Sequence, residues 1–214
     1  MRRVLHTALP DRVAQAVDVG CGPASWLQTW RTFADNVVGV DPFADAIAQQ
    51  SLPEGTRVVR GTADKLPFDT DSVDLALALD VLEHIDDASA LVEIRRILRR
   101  DGLVLVTVPA IPWLWSTRDD DAGHLRRYTK SSLHSALETA GFDVLDSRYY
   151  MSLLFPLVAA SRVLGRNTPT LRDKEDQPPR LANAVFRAIT LFEVRTGLRL
   201  PFGSSLLALA RIKP

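Results

Sequence analysis

The feature that most constrains this chain is a repeated alternation. Short, largely apolar runs each stop at a glycine, an aspartate or a proline, and helical patterns lie between them. Ala16-Val17-Asp18-Val19 stops at Gly20-Cys21-Gly22, and Val37-Val38-Gly39-Val40 stops at Asp41. Arg57-Val58-Val59-Arg60 stops at Gly61, Val73 to Leu79 stops at Asp80, and Leu103 to Val108 stops at Pro109. Between them lie a stretch carrying Trp26, Leu27, Trp30 and Phe33, and a helix expected over Asp87 to Arg100 with Leu91, Ile94, Ile97 and Leu98 on one face. Strands this short and apolar, separated by helices, read as a parallel sheet covered on both faces. Ligands of such α/β sheets sit at the carboxyl ends of the strands.

After Pro109 the pattern changes. Residues 111–128 form a polar loop dotted with aromatics, and Thr129 caps a helix that Gly141 ends. Phe142 to Tyr149 and Ser205 to Ile212 are a sixth and a seventh strand. The 150–200 segment between them is a helical insertion: an apolar piece from Tyr149 to Leu164 broken by Pro156, a polar linker from Arg166 to Arg180, and a helix from Leu181 to about Thr196. The whole, 1–214, reads as a single domain.

Composition excludes several classes. The 26 Lys and Arg against 26 Asp and Glu exclude a nucleic-acid binder working through bulk positive charge. One cysteine excludes a disulfide framework or a cysteine-rich zinc site. No secretory signal is visible and no window reaches the roughly 18 apolar residues of a spanning helix, so a cytoplasmic protein is expected. The neutral total conceals a division: residues 1–148 carry 16 basic and 22 acidic side chains, residues 149–214 carry 10 and 4.

The strand ends carry groups that suit a nucleoside. Two glycines after the first strand let the backbone turn sharply and approach a ligand. Asp41 follows Gly20 by 21 residues, where a carboxylate can accept from both ribose hydroxyls. Asp41-Pro42 also reads as a helix start, but the glycine turn at this distance favours ribose. Asp64, after the third strand, can accept from an adenine amino group or be a surface carboxylate.

Val17-Asp18-Val19-Gly20-Cys21-Gly22-Pro23, Val38-Gly39-Val40-Asp41, Ala63-Asp64-Lys65-Leu66-Pro67-Phe68 and Asp80-Val81-Leu82-Glu83-His84 occur in that order. In this the chain resembles the class I S-adenosylmethionine-dependent methyltransferases of the small-molecule, type 11-like group, over about residues 15 to 150 plus the last strand. The resemblance implies a Rossmann-like α/β sheet of seven strands, the seventh antiparallel, with S-adenosyl-L-methionine as cofactor. It implies that Asp18 helps hold the cofactor's amino group, that Gly20, Cys21 and Gly22 lie along its methionine part, and that Asp41 and Pro42 lie at the ribose. Ala63 and Asp64 would border the adenine, and Leu79 and Asp80 would complete the cradle. A nicotinamide-binding oxidoreductase is the main rival, but the third glycine of its loop is Ser25 here. Only about 16 residues precede the first strand, fewer than the N-terminal helix of many relatives needs; this keeps open a cofactor-binding, non-catalytic partner protein.

Methyl transfer from a sulfonium asks the protein mainly for alignment and exclusion of water. The candidate catalytic residues are His84 and His124, which titrate near neutrality, and Tyr128. Arg126, Arg127 and Tyr128 either meet an anionic or aromatic acceptor or stiffen their loop by pairing with Asp119 to Asp121. Those three aspartates are not a metal site by themselves, because adjacent side chains diverge, and no metal is expected. The insertion is a cap over the substrate pocket, a membrane-surface element suited to a lipid-like acceptor, or a homodimer surface. The expected partner is a small-molecule or lipid-like acceptor, not nucleic acid.

Overall fold

The computed structural model describes residues 1–9, 11–47, 49, 51–164 and 180–213. In chain order the elements are α1 (Arg2–Ala8), β1 (Val13–Val19), α2 (Leu27–Trp30), β2 (Ala34–Asp41), α3 (Ala44–Ile47), β3 (Thr56–Arg60) and β4 (Val73–Leu79). There follow α4 (Asp87–Ile97), β5 (Leu98–Pro109), α5 (Thr117–Asp121), α6 (Lys130–Thr139), β6 (Phe142–Tyr150), α7 (Phe155–Leu164), α8 (Arg180–Thr196) and β7 (Ser205–Ile212). Seven strands form one sheet in the order β3-β2-β1-β4-β5-β7-β6. β1 to β5 run parallel, and β7 lies antiparallel between β5 and β6, as expected for Ser205 to Ile212.

The sheet is covered on both sides because the inner stretches of its central strands, residues 16–17, 75–78 and 103–106, are apolar at successive positions. Val17, Ala76, Ala78, Val104 and Val106 pack into one buried cluster with Leu91 and Ile94 of α4 and Leu133 and Leu137 of α6. Their neighbours Ala16, Leu75, Leu77, Leu103 and Leu105 face the other cluster, with Leu5 of α1, Leu27 and Trp30. This is the period of two that a strand imposes on its side chains. Truncating a fully buried Ile94 to alanine costs about 2–5 kcal/mol by transfer and cavity terms.

Three local expectations shift. The helix expected to reach Arg100 ends at Ile97, because Leu98 turns extended (φ −74°, ψ 137°) and pairs with Val73. The ladder then slips before Leu75 meets Leu103, so residues 99–102 bulge from the strand. The stretch after the glycines shrinks to the four residues of α2, since β2 already begins at Ala34. A helix not foreseen, α1, buries Val4 and Leu5. Among the described residues, two helices, α7 and α8, stand between β6 and β7; apart from Arg180, the linker expected over 166–180 lies outside the described residues.

The chain leaves β1 toward β2 and β3, then returns to β4 on the other side of β1. The carboxyl ends of β1 and β4 therefore flank the point where strand order reverses, which is where α/β sheets open a crevice.

Candidate functional site

The glycine turn is set by two close approaches. Gly20 and Cys21 donate their backbone N–H groups to the Val40 carbonyl at 2.8 and 3.1 Å, tying the turn to β2. Gly20 has φ +67°, and a Cβ there would lie 2.7 Å from Val81 Cγ2. Gly22 has φ +50°, and nothing lies within 4 Å of its Cβ position, so its backbone is bare toward open space. Asp41 holds this loop. Its Oδ2 accepts from Gly22 N at 3.0 Å and its Oδ1 from Phe43 N at 2.9 Å. The carboxylate thus caps the start of the next segment and braces the glycine loop at once.

Beside the loop is a recess of about 100 Å³ lined by Met1, Asp18, Gly20, Cys21, Trp26, Leu79, Asp80, Thr107 and Tyr150. Asp18 is buried, and its Oδ2 accepts from Trp30 Nε1 at 3.1 Å. Burial pushes its pKa up to about 7, against the opposing pull of the indole hydrogen bond. Burial likewise pushes the Cys21 thiol up to about 12, reinforced by Asp18 and Asp41, so at neutral pH the thiol is uncharged. Its sulfur packs where a Cβ on Gly39 would stand. Asp80 sits at φ +55°, unusual for a residue with a Cβ, and accepts from Thr107 Oγ1 at 3.2 Å. Removal of water raises its pKa as well, with Thr107 opposing.

The recess brings together Asp18, Gly20, Cys21, Leu79 and Asp80, with Gly22, Asp41 and Pro42 next to them in the loops. Ala63 and Asp64 do not line it; Ala63 packs half-buried against the core and Asp64 is exposed. Trp26, Thr107 and Tyr150 were not foreseen as lining residues. Thr107 had a signal, as the single polar side chain in the apolar run Leu103 to Val108. Tyr150 had none, because β6 reaches the recess only through its pairing with β7. Burial raises its hydroxyl pKa, and that hydroxyl is hydrogen-bonded with the side chains of Ser205 and Thr107.

On the acceptor side, the rings of His84 and His124 meet edge to face with centroids 4.8 Å apart. Burial lowers the His84 pKa, with His124 adding to it. Asp119 is 1% exposed and gathers the loop around itself. It accepts from Arg127 Nε at 2.7 Å, from Ser116 N at 2.9 Å and from Arg162 Nη1 at 3.2 Å, and it bonds His124 Nδ1 at 2.9 Å. Burial alone would raise its pKa, but Arg127 and His124 hold it below the usual carboxylate range. Asp120 turns away to accept from Trp115 Nε1 at 3.0 Å.

Tyr128 requires a correction. Its ring is buried, and its hydroxyl donates to Asp87 Oδ2 at 2.7 Å and lies 3.2 Å from the Leu82 carbonyl. Arg126 pairs with Asp87 at 2.5 Å, and Arg127 donates also to the Ala110 carbonyl at 2.9 Å. These three side chains stiffen the loop, and Tyr128 does not face an acceptor.

A groove of about 810 Å³ opens between the sheet edge at Pro109, Ser204 and Ser205 and the helices α7 and α8. Leu154, Leu157, Val158, Phe186 and Leu191 make its apolar wall. Arg118, Arg127, Arg162 and Arg187 also line it, and no carboxylate does among the described residues. Ser205 joins groove to recess, since it lines the first and bonds Tyr150 of the second.

Residues 17–106 match the family model of a methyltransferase domain. Over 120 residues the chain is 30% identical to an uncharacterized methyltransferase of Mycobacterium bovis, covering 55% of this chain and 46% of that protein. Over 150 residues it is 29% identical to a protein of Mycolicibacterium smegmatis named a probable S-adenosylmethionine-dependent methyltransferase, covering 67% and 58%. The chain spans about half the length of the curated relatives it matches. The crystal structure of the YcgJ protein of Bacillus subtilis shares the fold at TM-score 0.64 and 18% identity, over 99% of this chain and 97% of that one.

Proposed function

We propose, from the match of residues 17–106 to a methyltransferase-domain family, that the chain is a class I S-adenosylmethionine-dependent methyltransferase that moves a methyl group to a small-molecule or lipid-like acceptor by in-line displacement. The observation that carries this reading is the recess at the reversal of strand order, with a buried carboxylate, a bare glycine backbone and a second carboxylate around one turn. These residues fit the cofactor. Asp18 would hold its ammonium group, the open space at Gly22 would take its length, and the remaining lone pairs of Asp41 would accept from its ribose. S-adenosylmethionine supplies a methyl group on a positively charged sulfur that leaves as a neutral thioether. The chain's own part is to bind and orient, with Trp26, Leu79 and Tyr150 walling water from the recess.

The acceptor reading rests on the groove. Its apolar wall suits an alkyl or prenyl chain, and Arg187 on that wall suits an anionic head, while Arg127 and Arg162 are engaged by Asp119. The insertion acts as a cap whose inner faces are the groove wall. A second reading has one specific observation in its favour: α8 leaves Val185, Phe192 and Val194 exposed, which suits contact with a membrane surface. No helix among the described residues is long and apolar enough to cross a membrane.

A thermal-shift titration tests the core of the proposal, because a ligand that binds only the native state raises Tm. S-adenosylhomocysteine should raise it and NAD⁺ should not; the reverse pattern overturns the reading. Sedimentation with anionic liposomes, compared between the native chain and Phe192→Glu, decides the membrane contact. Equal binding by both removes it.

A further inference from the structure

We propose that Glu83, His84 and His124 form a binding site for a divalent transition-metal ion such as Zn²⁺. Each residue offers one ligand atom, and these atoms all lie within 4.8 Å of one another. Two imidazoles and one carboxylate are a donor set for zinc and its neighbours, whereas magnesium and calcium take oxygen ligands.

The observation that asks for an ion is Glu83. Its side chain is 1% exposed, and its Oε2 has no hydrogen-bond partner among the described residues. A buried carboxylate oxygen left bare is costly, and such a group calls for an unseen water or ion. The two histidines are already dressed as ligands. His124 Nδ1 is bonded to Asp119 Oδ1 at 2.9 Å, which leaves Nε2 to bind. This is the carboxylate–histidine arrangement that orients metal-binding imidazoles. The ring of His84 is bonded by the backbone of Gly123 and Ala122, and it offers one nitrogen to the cluster. The two segments are also tied together, because Leu125 N donates to the Glu83 carbonyl at 2.7 Å and His124 N to the Asp119 carbonyl at 2.9 Å. Asp119 is in turn fixed by Arg127 and Arg162. The donors are therefore held before any ion arrives. The expectation of no metal rested on Asp119 to Asp121, and the cluster uses other residues.

Three protein ligands leave a coordination position open, and Asp80 of the recess is near enough to feel the charge of both histidines. An acceptor hydroxyl bound there would lose its proton more readily. That proton passes to solvent, the oxygen forms the new O–CH₃ bond as C–S breaks, and sulfur keeps the electron pair; the ion's oxidation state does not change. This role rests on the methyl-transfer reading above, but the binding of the ion does not.

The test is calorimetric titration of the EDTA-dialysed full chain with Zn²⁺ and with Mg²⁺, and absorption spectroscopy with Co²⁺. The expected result is one Zn²⁺ per chain, much weaker Mg²⁺, and a Co²⁺ spectrum of low-symmetry N/O ligation. His84→Ala and His124→Ala should each weaken Zn²⁺ at least about tenfold, and Asp119→Asn, acting through His124, about 10–100-fold. His84 is exposed, so its variant should fold, and circular dichroism of every variant confirms that. Absence of Zn²⁺ binding to the native chain, or affinity unchanged in both histidine variants, overturns the site. S-adenosylhomocysteine titrated into the same samples separates the two proposals: its binding without Zn²⁺ sinks only the metal site, and Zn²⁺ without it sinks only the transferase reading.

Discussion

The indole of Trp30 donates a hydrogen bond to Asp18 at 3.1 Å, so the carboxylate just before the glycine turn is anchored by a fully buried ring. Trp30 belongs to the single-turn helix α2, and Asp18 is the penultimate residue of β1, beside the recess. The bond orients the carboxyl but does not offset its burial, and the group keeps its proton to about pH 7.

A pH dependence follows. A carboxyl with a raised folded pKa stays protonated in the native state while the unfolded chain ionises. Stability from this group is full below about 3.8, falls as pH rises toward about 7, and is level above that. Asp18→Asn, which keeps an acceptor for Trp30, should flatten the difference. Urea unfolding of both proteins from pH 4 to 8 checks this, and parallel curves would contradict the buried, protonated Asp18. Affinity for a ligand bearing an ammonium group should run the other way, rising toward pH 7 as Asp18 gives up its proton to pair with the cation.

Asp41 spans two backbone donors, Gly22 N and Phe43 N. Asp41→Ala should weaken S-adenosylhomocysteine by about 1–3 kcal/mol, the scale of lost hydrogen bonds to a charged group. Asp41→Asn retains one acceptor for the loop and should lose less. Calorimetry reads both, and unchanged affinity in the alanine variant removes Asp41 from the ribose.

Tyr128 sits with its hydroxyl on Asp87 and beside the Leu82 carbonyl. Tyr128→Phe should cost about 1–3 kcal/mol of stability, since the part-buried Asp87 carboxylate loses one of its donors and keeps only Arg126. S-adenosylhomocysteine affinity should hardly change. Denaturant unfolding measures the first and calorimetry the second. A variant of native stability would show that the hydroxyl does not brace the loop.

On the proposed reading, Arg187 in the groove should set a preference among amphiphiles. Dodecyl phosphate should bind better than dodecanol, and dodecyltrimethylammonium should bind least. Arg187→Glu should reduce the preference for phosphate at least severalfold while leaving dodecanol little altered. Fluorescence titration gives the order, and equal binding of all three would leave only the apolar wall in charge of selection.

Much of the site-bearing fold was readable locally. The run Leu103 to Val108 and the glycines after Val19 are patterns complete within ten residues, and they survive as β5 and as the turn at the recess. Thr129 capping α6 is equally local; its side chain accepts from Ser132 N as a Ser/Thr cap should. Boundaries moved where pairing overrode periodicity, as at Leu98, which joined a strand once Val73 offered it a partner.

What the residues by themselves determined was the order of strands and helices and the kinds of group placed at each strand end, because backbone propensity and hydrophobic period act over a few neighbours. Only the tertiary structure decided which of those groups meet. It turned Tyr128 into the core, made Asp119 the hub of its loop, brought Thr107 and Tyr150 to Asp80, and set Glu83 and His84 against His124. Each of these meetings joins segments about 30 or more residues apart or depends on the direction in which a loop folds back, and such closure is chosen by packing and charge satisfaction across the whole molecule.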